Sequence, residues 1–481
     1  MLSSLPSCAA FQSKSNGKYL RYYVGDDEGA KNQLLDLSGD DVLNPYTRFH
    51  VEASSKHDGL VHIRCCYNNK YWVAQQGCPD EWWIAGGADE PEEDLSQQSC
   101  TLFQLKPVAE DPNTIRFHHA GLGKYSGIFS DSNNRADEGV QSCLHVGSEE
   151  QSEQFTLVIL SQRLLPKYVC FKGENGRYLS GQLLNGRNQL LFSSQDIADP
   201  TTRHTSIANS NGTMVIKSDH FGLFWRNIHR SNLSAWIRAE SSDPSNLHPD
   251  TLFQAFLLSN GGIGLLSIGN NRYCMRNRSP DVPDGLAAAE IAPSRPQVVL
   301  WCEEPVLSRE IGDIEFRVSQ ARIYDERTLT LATASATNHT SSVMRVRFTM
   351  DFTVTATRGW SSSVMLRSPN VATTISSPTL TTDGRIVIPT GEVVTEQLSW
   401  GATTESRLPE SVQRVVDMPA MTKVTVTYRA RESKYDVPFS YRQVDKMIDG
   451  EEVTLQFYDG IYSGGNVHSV TFETKEEKID Q

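Results

Sequence analysis

The chain has 481 residues, with 58 acidic against 45 basic side chains, a formal net charge of −13 and 38% hydrophobic residues. That balance argues against a nucleic-acid partner, because affinity for a polyanion needs a basic surface. No apolar run approaches the ~18 residues of a membrane-spanning helix, and the opening MLSSLPSCAAFQSKSNGK shows no basic stretch followed by an apolar core. The expected location is therefore the cytoplasm, with the nucleus also open.

From the first residues to about residue 305 a short aromatic phrase returns at intervals of about 50 residues. It reads NGKYL around Tyr19, NNKYW around Tyr71, LGKYS around Tyr125, NGRYL around Tyr178, GLFWR around Trp225 and NNRYC around Tyr273. A second, apolar phrase keeps step with it around Phe49, Phe103, Phe155, Phe253 and Trp301. Short apolar runs such as Leu60 to Arg64 and Met214 to Lys217 are punctuated by Gly, Asn or Asp, the pattern of short strands joined by turns. Six units of this kind make either a six-bladed propeller or two closed modules of three. The fourth unit restarts as YVCFKGENGRYLS, Tyr168 to Ser180, after a charged, Pro-containing connector, and it echoes CAAFQSKSNGKYLRY, Cys8 to Tyr22. Two modules are therefore expected, each a β-trefoil, over residues 1–163 and 164–305.

Beyond Pro305 the texture changes and cysteine vanishes. The stretch RVRFTMDFTVTATRGWSSSVML, Arg345 to Leu366, and the stretch TKVTVTYRARES, Thr422 to Ser433, alternate far longer than the five or six residues of a common strand. The expected fold class is all-β throughout: two tandem β-trefoils followed by an elongated antiparallel β-sheet domain over residues 306–481.

Catalytic signatures are missing. The chain contains no phosphate-binding GxxxxGK[ST], no GxSxG, no HExxH and no pair of CxxC motifs. His118 and His119 are adjacent, so in a strand they point to opposite faces and cannot share a metal. Neither an enzymatic activity nor a metal or cofactor is expected. Nine cysteines, an odd number with Cys65 and Cys66 adjacent, fit free thiols better than a disulfide framework.

Aromatic residues in loops are the better lead. A sugar ring is recognised by a flat apolar platform under its C–H face, with carboxylate or amide groups beside it for the hydroxyls. The segment CPDEWWIAGGADEPEED, Cys78 to Asp94, supplies both, with Asp80, Glu81, Trp82 and Trp83 ahead of the acids Asp89 to Asp94. Neighbouring strand residues face opposite ways, so one tryptophan is expected in the core and the other outside. The acidic run reads as a solvated loop or, more sharply, as a rim that binds hydroxyls or a cation. Trp236, in LSAWIRAESSDP, holds the matching place in the second module, with Arg238 nearby.

These phrases carry a resemblance. GKYLRY, DGLVHIR, NKYWV, WWIAGGADEPEED, CTLF and FKGENGRYL make residues 1–305 resemble the amaranthin family of plant lectins, whose agglutinin domains are tandem β-trefoils. The resemblance implies a galactose and N-acetylgalactosamine ligand, a homo-oligomer with sites shared between subunits, and a sugar platform on Trp82 and Trp83 with Asp80 beside them. Asp80 and Glu81 stand where the family pattern has Asn and His, and the stretch after Tyr273 differs from the family's second ligand loop. Residues 306–481 resemble the membrane-active module of aerolysin-type pore-forming proteins, through QLSWGATTESR, MPAMTKVTVTYRARESKYDVPFSYR and DGIYSGGNVHSVTFE.

That second resemblance implies a membrane hairpin over about residues 359–400, with its turn near Pro378 to Gly384. A barrel strand alternates lipid-facing and lumen-facing residues over ~9 to 11 positions. Val371, Thr373 and Ile375 then share one face, Arg385 faces the lumen, and Ile386 and Ile388 face lipid, with a bulge near Pro389 and Gly391 turning Glu392 and Glu396 inward. The reading as a whole is a chimeric lectin of plant defence that tethers to glycans or glycoproteins, oligomerises and opens a pore in a target membrane. A non-lytic lectin and a carbohydrate-active enzyme with trefoil accessory domains are the alternatives.

Overall fold

The computed structural model describes residues 8–23, 33–76, 82–108, 111–129, 143–149, 152–160, 165–228, 235–242, 248–362, 371–389, 394–398, 400–401 and 403–479. Among them there is no α-helix. The chain divides into two compact units, one of residues up to 310 together with 443–455, the other of most of 311–442 with the residues from 456 onward.

The first unit begins with twelve strands: β1 (Cys8–Ser13), β2 (Tyr19–Tyr22), β3 (Leu35–Gly39), β4 (Phe49–Ala53), β5 (Val61–Cys65), β6 (Tyr71–Gln76), β7 (Trp82–Ala88), β8 (Leu102–Val108), β9 (Asp111–His119), β10 (Lys124–Phe129), β11 (Cys143–Gly147) and β12 (Phe155–Ile159). Antiparallel pairing runs β1 to β4, β4 to β5, β5 to β8, β8 to β9, β9 to β12 and back from β12 to β1. This closed ring of six leaves no sheet edge. The other six strands form three hairpins, β2 with β3, β6 with β7 and β10 with β11. The hairpins join one another through Asp36 opposite Cys143, Trp83 opposite His145 and the bridge from Leu34 to Ala85. A six-stranded barrel capped by three joined hairpins is a β-trefoil.

The same plan repeats in β13 (Tyr168–Lys172), β14 (Tyr178–Leu184), β15 (Arg187–Ser194), β16 (His204–Ala208), β17 (Met214–Ser218), β18 (Leu223–Ile228), β19 (Ala235–Ser241), β20 (Phe253–Leu257), β21 (Ile263–Ser267), β22 (Arg272–Asn277), β23 (Gly285–Glu290) and β24 (Trp301–Glu303). Its ring passes through β13, β16, β17, β20 and β21, then through the bridge from Ile263 to Leu300 and β24 back to β13. Strands β15, β19 and β23 tie the three cap hairpins together.

The aromatic phrase has a local cause. Two residues before each aromatic stands a residue with positive φ: Gly17, Asn69, Gly123, Gly176, Gly222 and Asn271, between +51° and +73°. Glycine and asparagine tolerate this left-handed turn, which reverses the chain from a barrel strand into a cap hairpin. In five of the six units the register shifts just after the aromatic, at Tyr19, Tyr71, Tyr178, Phe224 and Tyr273. Such a bulge bends the strand and increases its local twist.

Two positions differ from the sequence reading by one residue. Trp225 matches Trp72, not Tyr71, since both follow the bulge and face Ala239 and Gly86 respectively. Phe11 pairs with Leu157 and Phe171 with Cys302, so Leu300 takes the core place of Phe155 while Trp301 turns outward, 39% exposed. A slip of one residue moves a strand side chain to the opposite face. Trp72 fills the first barrel, with ring centroids 5.1 Å from Phe49, 5.1 Å from Phe117 and 5.7 Å from Phe103. Trp225 does so in the second, donating from Nε1 to His204 Nδ1 at 3.3 Å. Burial pushes the His204 pKa down to about 4, so the ring stays neutral and can accept that bond.

The second unit is built on strands several times the common length. They are β25 (Val306–Phe316), β26 (Arg322–Asn338), β27 (Met344–Ser361), β32 (Thr403–Met418), β33 (Thr422–Met447) and β34 (Glu452–Lys478), of which the last two have 26 and 27 residues. Among the described residues between β27 and β32 are the short strands β28 (Val371–Ile375), β29 (Thr379–Leu380), β30 (Ile386–Val387) and β31 (Val394–Leu398). Strand β27 pairs with β32 along its length, from Met344 opposite Met418 to Gly359 opposite Thr403. Phe348, Met350 and Met418 of this ribbon pack against Val424, Val426 and Tyr428 of β33. The long alternation read from Arg345 and from Thr422 is this inward and outward alternation.

Candidate functional site

The cap of the first trefoil places its two tryptophans on opposite sides of β7. Trp82 is partly buried and packs against the barrel core. Trp83, next along the strand, lies opposite Gln75 of β6 and His145 of β11, its ring centroid 6.4 Å from that of His145. Asp80 and Glu81 lie outside the described residues. His145 belongs to a distant hairpin, and nothing in the sequence near Trp83 points to it. Only the joining of β7 to β11 in the cap brings the two rings together.

Trp236 occupies the same place in the second cap, opposite Ile228 and Ala287. Ala287 therefore stands where the first cap has His145. Gly285 lies so close under the Trp236 ring that a Cβ there would meet Cζ3 at 2.7 Å. Arg238 is buried and donates to Gln189 Oε1 at 3.3 Å, with Glu240 at 3.5 Å. Among the described residues, the second site thus offers one ring, no imidazole at the place of His145 and an arginine already engaged.

The acidic run does not form an open rim of carboxylates. Glu93 turns inward and accepts hydrogen bonds from Ser54 Oγ at 2.8 Å, Ser55 N at 2.7 Å and Ser55 Oγ at 2.9 Å, while His62 Nε2 lies 3.3 Å away. Burial pushes the Glu93 carboxyl up, but the bonds from Ser54, Ser55 and His62 outweigh it and hold the pKa down at about 2. Asp89 pairs with Lys70 at 3.1 Å, and Glu92 and Asp94 accept bonds from neighbouring turn residues. His119, one of the adjacent pair, is buried on Cys100 O at 3.1 Å, and burial pushes its pKa down to about 4. The described residues hold no cluster of His, Cys, Asp or Glu that could bind a metal.

In the second unit the insert between β27 and β32 folds as two nested strand pairs. Val371 and Thr373 of β28 stand opposite Leu398 and Glu396 of β31, and Ile375 stands opposite Val394. Within that pair, Thr379 and Leu380 meet Val387 and Ile386. The tip is a tight turn, with Thr381 N donating to Arg385 O at 2.8 Å and Gly384 at φ +79°. Ile375, Leu380 and Ile386 are buried against Trp360, Tyr435, Phe439 and Tyr462. Ile388 lies past the end of β30 and is 39% exposed, so Ile386 and Ile388 do not share a face here.

The sequence matches the Agglutinin domain family over residues 3–145 and again over 163–277, together more than half of the chain. The chain belongs to that family, a family of lectins rather than enzymes. No curated protein matches. Among solved structures, the chain is similar to a lamprey immune protein at 10% identity and TM-score 0.30, over 78% of this chain and 90% of that one. It is also similar to an aerolysin-like protein of Bombina maxima at 12% identity and TM-score 0.24, over 35% of this chain and 98% of that one. Parasporin-2, a Bacillus thuringiensis toxin that recognizes cancer cells, shows 18% identity and TM-score 0.22, over 35% and 73% respectively.

Proposed function

We propose that the protein is a lectin that carries its own pore-forming module. The trefoil pair binds a galactose or N-acetylgalactosamine type of glycan, with Trp83 as the platform and His145 beside it as a hydrogen-bonding partner. The long-stranded unit then oligomerises, and the insert between β27 and β32 opens into a membrane-spanning hairpin. One observation carries this reading: an insert whose apolar side chains, Ile375, Leu380 and Ile386, are sequestered on an aromatic bed joins two strands already paired along their length. Extending those strands through the insert gives a hairpin long enough for the ~9 to 11 residues per strand of a bilayer crossing.

A closed barrel satisfies every backbone group, which is why assembly must accompany insertion. Binding at several glycans raises the local concentration and favours assembly on the target surface. The free thiols among the described residues agree with production in a reducing compartment, the cytoplasm, and action on a foreign membrane after tissue damage. The test is dye release from vesicles bearing galactose-terminated glycolipid, beside vesicles of the same phospholipid without it. Release only from the glycolipid vesicles is the expected result; binding without release would leave a non-lytic lectin.

A further inference from the structure

The tip of the insert is tied to β34 by a continuous line of polar atoms. Ser469 donates to Thr382 O twice, from its backbone N at 3.1 Å and from Oγ at 3.2 Å. Ser469 Oγ lies 2.9 Å from His468 Nδ1, and His468 Nε2 lies 2.9 Å from Ser433 Oγ. Two further bonds hold the same segment: Asn466 Nδ2 donates to Leu380 O at 3.1 Å and Tyr435 Oη to Pro378 O at 2.8 Å. His468 is 4% exposed and Ser433 is fully buried.

One protonation state satisfies the whole line. Ser433 donates to Nε2, Nδ1–H donates to Ser469 Oγ, and Ser469 Oγ donates to Thr382 O. That imidazole is neutral. A second proton on Nε2 forces Ser433 from donor to acceptor, strands its hydroxyl hydrogen in a buried place and sets a charge where little water reaches it.

The charged groups around the ring do not relieve that cost. Glu326 of β26 and Arg431 of β33 both act on it, with opposite sign, and are paired with each other at 3.2 Å. On the tip itself Asp383 pairs with Arg385 at 2.8 Å, and beside Ser433 Lys434 pairs with Asp325 at 2.6 Å. Burial lowers the His468 pKa from its ordinary 6.5, with smaller opposing effects from Glu326, which raises it, and Arg431, which lowers it.

We propose that His468 is an acid-sensitive latch on the insert, and that its protonation upsets the line at its Ser433 end, makes the docked state costlier and so frees the Thr381 to Arg385 turn from its apolar bed. The sign follows from the depressed pKa. Above 6.5 the ring is neutral whether the turn is docked or released, and the latch is intact; as pH falls below 6.5 the released state takes up the proton first and gains population. The inference rests on the reading of this insert as the hairpin that enters the membrane.

Hydrogen exchange on the full-length protein tests it. The amides of Thr381, Gly384 and Ser469 are followed as protection factors, so that the intrinsic pH dependence of exchange divides out. Wild-type protection is expected to fall about tenfold between about pH 7.5 and about pH 5, equivalent to about 1.4 kcal/mol. His468→Gln, which keeps a donor and an acceptor but cannot titrate, should give a flat profile. Ser433→Ala removes the bond to the neutral ring and should move the wild-type midpoint to higher pH. A flat wild-type profile overturns the latch, as does a His468→Gln profile that falls like wild type. Dye release measured on the same samples separates the two readings. An acid response without leakage at any pH removes the pore and keeps the latch; leakage with flat exchange keeps the pore and removes the latch.

Discussion

Arg309 and Asp445 are separated by 136 positions in the chain and meet in two charge-assisted hydrogen bonds, Nε to Oδ1 at 2.6 Å and Nη2 to Oδ2 at 2.8 Å. Glu304 holds the same guanidinium at 2.7 and 3.1 Å, and the three side chains are 1%, 6% and 7% exposed. Desolvation would lower the Arg309 pKa, but Asp445 and Glu304 raise it further above its usual value, so the charge persists on burial.

Breaking such a cluster from one side leaves an uncompensated buried charge. Arg309→Ala strips both Asp445 and Glu304 of their cation and should therefore lose roughly 3 to 5 kcal/mol, read as a lower urea midpoint. A loss below about 1 kcal/mol would mean that water reaches the cluster in solution. The segment 443–455 belongs to the same compact unit as the trefoils, so a cut at residue 305, where the composition changes, removes two members of this cluster.

Glu93 gives a pH prediction of definite sign. Its carboxyl is held at about 2 in the folded chain against an ordinary 4.5, so the stability it contributes is fully present above 4.5 and is lost as pH falls toward about 2. Glu93→Gln should lower the thermal midpoint at neutral pH, and the gap to wild type should narrow across that window. A gap that stays constant down to pH 2 would show that the hydrogen bonds from Ser54 and Ser55 do not depend on the charge.

At the first cap, Trp83→Ala should weaken glycan binding at least tenfold, about 1.4 kcal/mol, and Trp236→Ala should do less. His145→Ala should weaken binding without unfolding the cap, whereas Trp82→Ala should lower stability because its ring packs on the barrel core. Titration of each variant with a galactose-bearing neoglycoprotein beside its melting curve checks all four. If Trp83→Ala melts early and Trp82→Ala does not, the platform assignment passes to Trp82.

How far the sequence could be read follows from the range of each interaction. The turn at Gly17, Asn69 and their four counterparts is a property of two or three neighbouring residues, and it is visible in every repeat. Alternation in β27 and β33 is equally local. The one-residue displacements at Trp225 and Trp301 were hidden because a bulge or a short closing strand changes the face of a side chain without changing composition. His145 beside Trp83, Arg309 on Asp445 and His468 at the insert tip each depend on pairing between distant strands. The inward turn of Glu93 was invisible for the same reason, since its partners Ser54 and Ser55 lie on another hairpin.

On the membrane face of the insert, Ile386 and Ile388 differ in what the soluble fold asks of them. Ile386 is buried on the aromatic bed of the second unit, 9% exposed, so Ile386→Arg would damage the soluble fold as well as any pore. Ile388 is 39% exposed, and an arginine there can reach water in the soluble state. In an extended barrel strand these two residues fall on one face, because side chains repeat with a period of two. If that face meets lipid, Ile388→Arg costs roughly 2 to 4 kcal/mol in every subunit of the ring near mid-bilayer. Melting and glycan binding should then match wild type while dye release collapses. Release at the wild-type level would place Ile388 off the lipid face and reject this register for the hairpin.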